Sequence, residues 1–85
     1  MVDVIIYSKA NCPFCEMAKT LLASKKVAFK EVRVDLDDNI RDEMIRLSGR
    51  RTVPQIFING QSIGGYDDLA TLEKSGKLNA LLFHD

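Results

Sequence analysis

Val2-Asp3-Val4-Ile5-Ile6-Tyr7-Ser8-Lys9-Ala10-Asn11-Cys12-Pro13-Phe14-Cys15 is the stretch on which the reading of this chain turns. Its first half is short, β-branched and aromatic, which predicts a buried strand over residues 2–7. Residues 8–11 then form a loop. From Pro13 the apolar residues Phe14, Met17, Ala18, Leu21 and Leu22 fall at helical spacing. Proline suits the first turn of that helix, where its missing N–H is not needed. Two thiols thus stand where a strand gives way to a helix N-terminus. Their spacing lets the sulfurs reach each other, and the positive end of the helix favours a thiolate on the first. The arrangement suggests thiol–disulfide exchange.

Composition agrees with working thiols. The chain has 85 residues, which is one domain over residues 1–85, and 46% of them are hydrophobic, enough for a core. Twelve basic and twelve acidic residues give no net charge, which argues against a nucleic-acid binder driven by bulk electrostatics. The longest apolar run is far too short to cross a bilayer. Met1-Val2-Asp3 lacks the basic and apolar segments of a signal peptide, so a cytoplasmic setting is expected. That compartment keeps thiols reduced, so Cys12 and Cys15, the only two cysteines, read as reactive groups or metal ligands rather than a staple. A zinc site needs about four ligands. The single histidine, His84, reads as a surface residue near the chain end. No metal is therefore expected.

Downstream, residues 29–36 read as a second strand, with Val32, Val34 and Leu36 alternating with Arg33 and Asp35. Strand, helix, strand makes a parallel pair with a right-handed crossover. Residues 35–39 form an acidic, cap-rich turn, and Ile40, Met44 and Leu47 mark a second helix closed by Ser48-Gly49. Gln55–Ile58 is a third strand, with Ile56 and Phe57 in the core. Asn59-Gly60 is a hairpin turn, and residues 61–63 return antiparallel. Gly64-Gly65 breaks that strand. Asp67 or Asp68 is expected to cap a third helix through Leu69 and Leu72, ending at Gly76. Leu78, Leu81 and Leu82 form a last apolar turn or short helix. This order matches the α/β thioredoxin-like fold, a four-stranded mixed sheet flanked by helices.

Four landmarks stand in order: Lys9 followed by Cys12-Pro13-Phe14-Cys15, then Thr52-Val53-Pro54, then Gly64-Gly65, then Asp67-Asp68. Each is weak alone, but together, over essentially the whole length, they resemble the small dithiol (class I) glutaredoxins of bacterial type. Phe14 departs from the pattern, in which a tyrosine is usual. The resemblance implies a glutathione-dependent oxidoreductase that reduces protein disulfides and glutathione mixed disulfides. Glutathione would be its reducing co-substrate, replenished from NADPH through glutathione reductase, with no permanently bound cofactor. No dinucleotide motif is present.

Cys12, beside Lys9 and at the helix end, is expected to have a depressed pKa and to attack; Cys15, one turn inside, would resolve. The resemblance implies a cis Pro54 that turns the Val53 backbone outward to pair with the cysteinyl part of glutathione. It also assigns Thr52 to the site. Lys9 and Arg51 would hold the glycyl carboxylate, and Gly65 would let the backbone approach closely. The N–H groups of Tyr66 and Asp67 would bind the γ-glutamyl carboxylate, and the Asp67 side chain would accept from the ammonium. Arg50 reads as a solvated residue.

The expected partners are glutathione and glutathionylated or disulfide-containing proteins, with ribonucleotide reductase one candidate by resemblance. Neither nucleic acid nor membrane is expected, and nothing calls for more than a monomer. Two other readings remain: an iron–sulfur cluster carrier, against which Pro13 and Cys15 speak, and a redoxin served by thioredoxin reductase, against which Lys9, Arg51 and Asp67 speak. An inactive interaction module would have no need of either thiol.

Overall fold

In the structure, a computed structural model that describes residues 2–83, the strand leading to the cysteines is an inner strand of the sheet. That strand, β1 (Val4–Ser8), pairs parallel with β2 (Lys30–Arg33) and antiparallel with β3 (Gln55–Ile58). β3 in turn pairs antiparallel with β4 (Gln61–Gly64), giving the order β2-β1-β3-β4. Asn59 and Gly60 turn this last hairpin with φ of 51° and 80°, left-handed values that asparagine and glycine tolerate best.

Alternation along β1 and β3 divides the core in two. Val4, Ile6, Ile56 and Ile58 face Ala18 and Leu22 of α1 (Pro13–Ser24), Leu69 of α3 (Tyr66–Ser75), and Leu78 and Leu82 of α4 (Lys77–Phe83). Tyr7 and Phe57 face the other way, against Val34 and against Met44 of α2 (Asp38–Ser48). α2 therefore covers one side of the sheet, and the remaining three helices cover the other. Burial on both faces explains why β1 and β3 read as nearly continuous apolar runs.

Four expectations are corrected. β1 starts at Val4 rather than residue 2 and runs on to Ser8. β2 stops at Arg33, and Leu36 is 73% exposed. Asp35 is the cause: it takes a two-pronged ion pair from Arg33 at 2.7 and 2.6 Å and the Ala10 N–H at 3.1 Å, which bends the chain out of the sheet. The cap of α3 is Gly65, not Asp67 or Asp68. Asp68 sits at the third helical position and reaches back to accept the Gly65 N–H at 2.9 Å. β4 also includes Gly64, one residue beyond the expected end. His84 lies outside the described residues.

The α2 side of the core carries a titratable group. The Tyr7 hydroxyl donates to Glu43 Oε2 at 2.9 Å, and its ring meets Phe57 edge-on with centroids 5.6 Å apart. Burial first, and the Glu43 acceptor second, push the phenol pKa from 10.0 up to about 12. The fold thus favours protonated Tyr7. Its contribution is complete below about pH 10, where unfolded tyrosine ionises, and is lost as pH rises through about 12. Urea midpoints of the parent are expected to fall across this window, and those of Tyr7→Phe to fall less. Parallel pH profiles would contradict the assignment.

Candidate active site

The loop between β1 and α1 is held from several sides. Asn11 adopts φ 56°, a left-handed turn open to asparagine, and the chain then enters Cys12 in extended geometry. Asp35, kept well below the usual carboxylate range chiefly by Arg33, anchors the Ala10 N–H. Behind the loop, buried Ser8 donates to Glu31 Oε2 at 2.6 Å, and Lys19 of α1 reaches the same oxygen at 2.9 Å. The Ser8 donor, and then Lys19, lower the Glu31 pKa. These contacts tie the end of β1, the body of α1 and β2 together beneath the cysteines.

Cys12 is the N-cap of α1 and Pro13 its first residue. Cys12 and Cys15 are joined as a disulfide, with Cα atoms 5.2 Å apart. Cys12 Sγ accepts the backbone N–H of Cys15 at 3.2 Å, so a helix donor that would otherwise lack a partner points at sulfur. Cys15 is wholly buried. Cys12, although also largely buried, lines a shallow depression with Asn11, Pro13 and Glu16. Cys15 is thus the more deeply buried of the two.

Cys12 Sγ lies 4.0 Å from the carbonyl oxygen of Val53, in the loop before β3. The Val53–Pro54 peptide is cis. Buried Gln55 braces this loop by donating from Nε2 to the Thr52 carbonyl at 3.0 Å. The same loop borders a cleft of about 210 Å³, lined by Phe14, Arg50, Thr52, Val53, Pro54, Gly65, Tyr66, Asp67 and Asp68. Phe14, 54% exposed despite its place in the apolar pattern of α1, stacks on Tyr66 with ring centroids 6.1 Å apart. The two aromatic rings join the first turns of α1 and α3 across the cleft.

The structure therefore brings together six residues singled out in the sequence, namely Thr52, Val53, Pro54, Gly65, Tyr66 and Asp67, in one cleft next to Cys12. Lys9 and Arg51 are exposed and stand outside the residues lining it. Arg50, read as solvated, is in the lining instead, where Nη1 donates to Asp68 Oδ2 at 2.9 Å. Its partner is 18 residues away, so no local pattern could have revealed the pair.

A protein-family model described as Glutaredoxin matches residues 4–63 of the chain. The chain is 54% identical over 82 residues to Glutaredoxin 3 of Escherichia coli (strain K12), a match covering 96% of this chain and 99% of that one. The solution structure of glutaredoxin from Brucella melitensis superposes with a TM-score of 0.86 at 51% identity, over 96% of this chain and 89% of the other. The buckwheat glutaredoxin-glutathione complex superposes with a TM-score of 0.86 at 30% identity, over 93% and 74% of the two chains.

Proposed function

The chain belongs to the glutaredoxin family, and on that basis we propose that it reduces protein disulfides and glutathione mixed disulfides with Cys12 attacking and Cys15 resolving. Glutathione-dependent thiol–disulfide exchange is the activity of the family. The observation that carries the residue roles is the setting of Cys12 Sγ. It caps α1, receives the Cys15 N–H at 3.2 Å and lies 4.0 Å from the Val53 carbonyl, beside the cleft. In the reduced protein the same N–H and the helix end favour the thiolate, which is the nucleophile.

The reaction runs in two displacements. Cys12 thiolate attacks the glutathione sulfur of a mixed disulfide; the protein sulfur leaves as a thiolate and takes a proton from water. A second glutathione thiolate then attacks the glutathione held on Cys12. Oxidised glutathione leaves and Cys12 returns as thiolate. For a disulfide within a protein, Cys12 forms the mixed disulfide and Cys15 displaces the substrate sulfur. The resulting Cys12–Cys15 disulfide is then reduced by two glutathiones.

Glutathione fits the cleft with its cysteinyl part along the Val53 backbone, between Thr52 and Pro54. Its γ-glutamyl end lies at the start of α3, where Gly65 admits the ligand, the N–H groups of Tyr66 and Asp67 face its carboxylate and the Asp67 carboxylate takes its ammonium. Lys9 and Arg51 serve the glycyl carboxylate from outside the cleft. The same reading takes residues 1–85 as one domain acting as a monomer in the cytoplasm on glutathionylated or disulfide-containing proteins. No described helix is long and apolar enough to cross a membrane.

Cys15→Ser mixed with oxidised glutathione is expected to gain one glutathione per chain by intact mass, located on Cys12 by peptide mapping. A protein that takes up none would overturn the roles given to the two thiols.

A further inference from the structure

Arg50 and Asp68 face each other in the lining of the cleft. Asp68 Oδ2 accepts from Arg50 Nη1 at 2.9 Å and from the Gly65 N–H at 2.9 Å. Both partners are confined. A Cβ on Gly64, which adopts φ 115°, would run into the Asp68 carboxyl, so only glycine leaves room for that side chain. The Arg50 N–H donates to Ser48 Oγ at 3.0 Å, and that hydroxyl donates to the Met44 carbonyl at 2.7 Å, fixing the turn after α2. The Gly65 N–H first, and Arg50 second, hold Asp68 below the usual carboxylate range, so it is charged. Asp67, beside it in the same lining, makes no side-chain hydrogen bond or ion pair among the described residues.

Resting on the glutathione reading above, we propose that Arg50 is a specificity-determining residue that occupies Asp68 and so matches the cleft to a zwitterionic γ-glutamyl end. Such an end carries one ammonium and one carboxylate. Two free carboxylates on the first turn of α3 would overmatch the ammonium and repel the carboxylate. With Asp68 neutralised by Arg50, Asp67 alone remains for the ammonium, and the N–H groups of the turn stay attractive to the carboxylate.

Two substrates separate this role from a structural one: the mixed disulfides of 2-mercaptoethanol with glutathione and with N-acetylcysteinylglycine, which lacks the γ-glutamyl group. Arg50→Gln is expected to lower kcat/KM for the glutathione disulfide about fivefold, as removal of a half-exposed charge partner should. It should leave the second substrate within about twofold, since the unneutralised carboxylate meets no γ-glutamyl group there. Arg50→Lys is expected to retain most of the preference, because it restores the charge. Arg50→Gln/Asp68→Asn is expected to recover it, because it removes the uncompensated carboxylate while keeping an acceptor for the Gly65 N–H. Equal losses on both substrates, or a double variant no better than Arg50→Gln, would overturn the role of Arg50 and leave the glutathione reading standing. A parent protein that does not prefer the glutathione disulfide would overturn both.

Discussion

Cys12→Ser is expected to lose turnover of glutathione mixed disulfides by on the order of a thousandfold or more, down to the uncatalysed rate. The physical reason is ionisation and nucleophilicity together. A helix N-terminus favours the thiolate of a cysteine, whereas a serine hydroxyl there is not ionised and attacks sulfur poorly. The backbone would tolerate the change. Serine is among the preferred N-caps, and its oxygen can accept the Cys15 N–H that Cys12 Sγ now accepts at 3.2 Å. The variant should therefore be as stable as the reduced parent and still inert, which separates chemistry from folding. Measurable turnover by Cys12→Ser would remove Cys12 from the nucleophile's role.

Leu69→Ala is expected to have the largest effect on stability, about 2–5 kcal/mol, because it removes a fully buried side chain and leaves a cavity. Leu69 packs with Val4, Ile6, Leu22, Ile56 and Leu78, where α3 meets the sheet. A chain of this size has roughly 5–15 kcal/mol in total, toward the lower end, so the loss is a large fraction. The urea midpoint should fall sharply. Leu47→Ala, on α2 and 50% exposed, should change stability by only about 0.5 kcal/mol. Similar losses from the two variants would contradict the division between a sealed core under α3 and a solvent-facing edge of α2. Because α3 also presents Gly65, Tyr66, Asp67 and Asp68 to the cleft, the seat of Leu69 is part of what positions the site.

Much of this was legible from local pattern. The cysteines follow a β-branched run and precede a helix with proline at its first position, and the structure has Cys12 as the cap of α1. Asn59-Gly60 marked the hairpin that joins β3 and β4. What local pattern could not supply was contact between distant segments. The apolar alternation of residues 29–36 suggested a strand to Leu36, but Asp35 is drawn away by Arg33 and the Ala10 N–H. Phe14 sits at a helical apolar position, yet it stacks on Tyr66 at the surface instead of entering the core. Asp68 looked like a cap and serves from inside the first turn, while glycine takes the cap position. Arg50 had no local partner to give it away, and only the fold brings it to Asp68.

The most direct test is reduction of a glutathione mixed disulfide coupled to glutathione, glutathione reductase and NADPH, comparing the parent with Cys15→Ser. Turnover by both is expected, because Cys12 and glutathione suffice for that substrate, while reduction of a disulfide within a protein should fall in the variant. A parent that is active beside an inert Cys15→Ser would contradict Cys12 as the self-sufficient nucleophile. Inactivity of both proteins with glutathione would contradict the glutathione-dependent function itself.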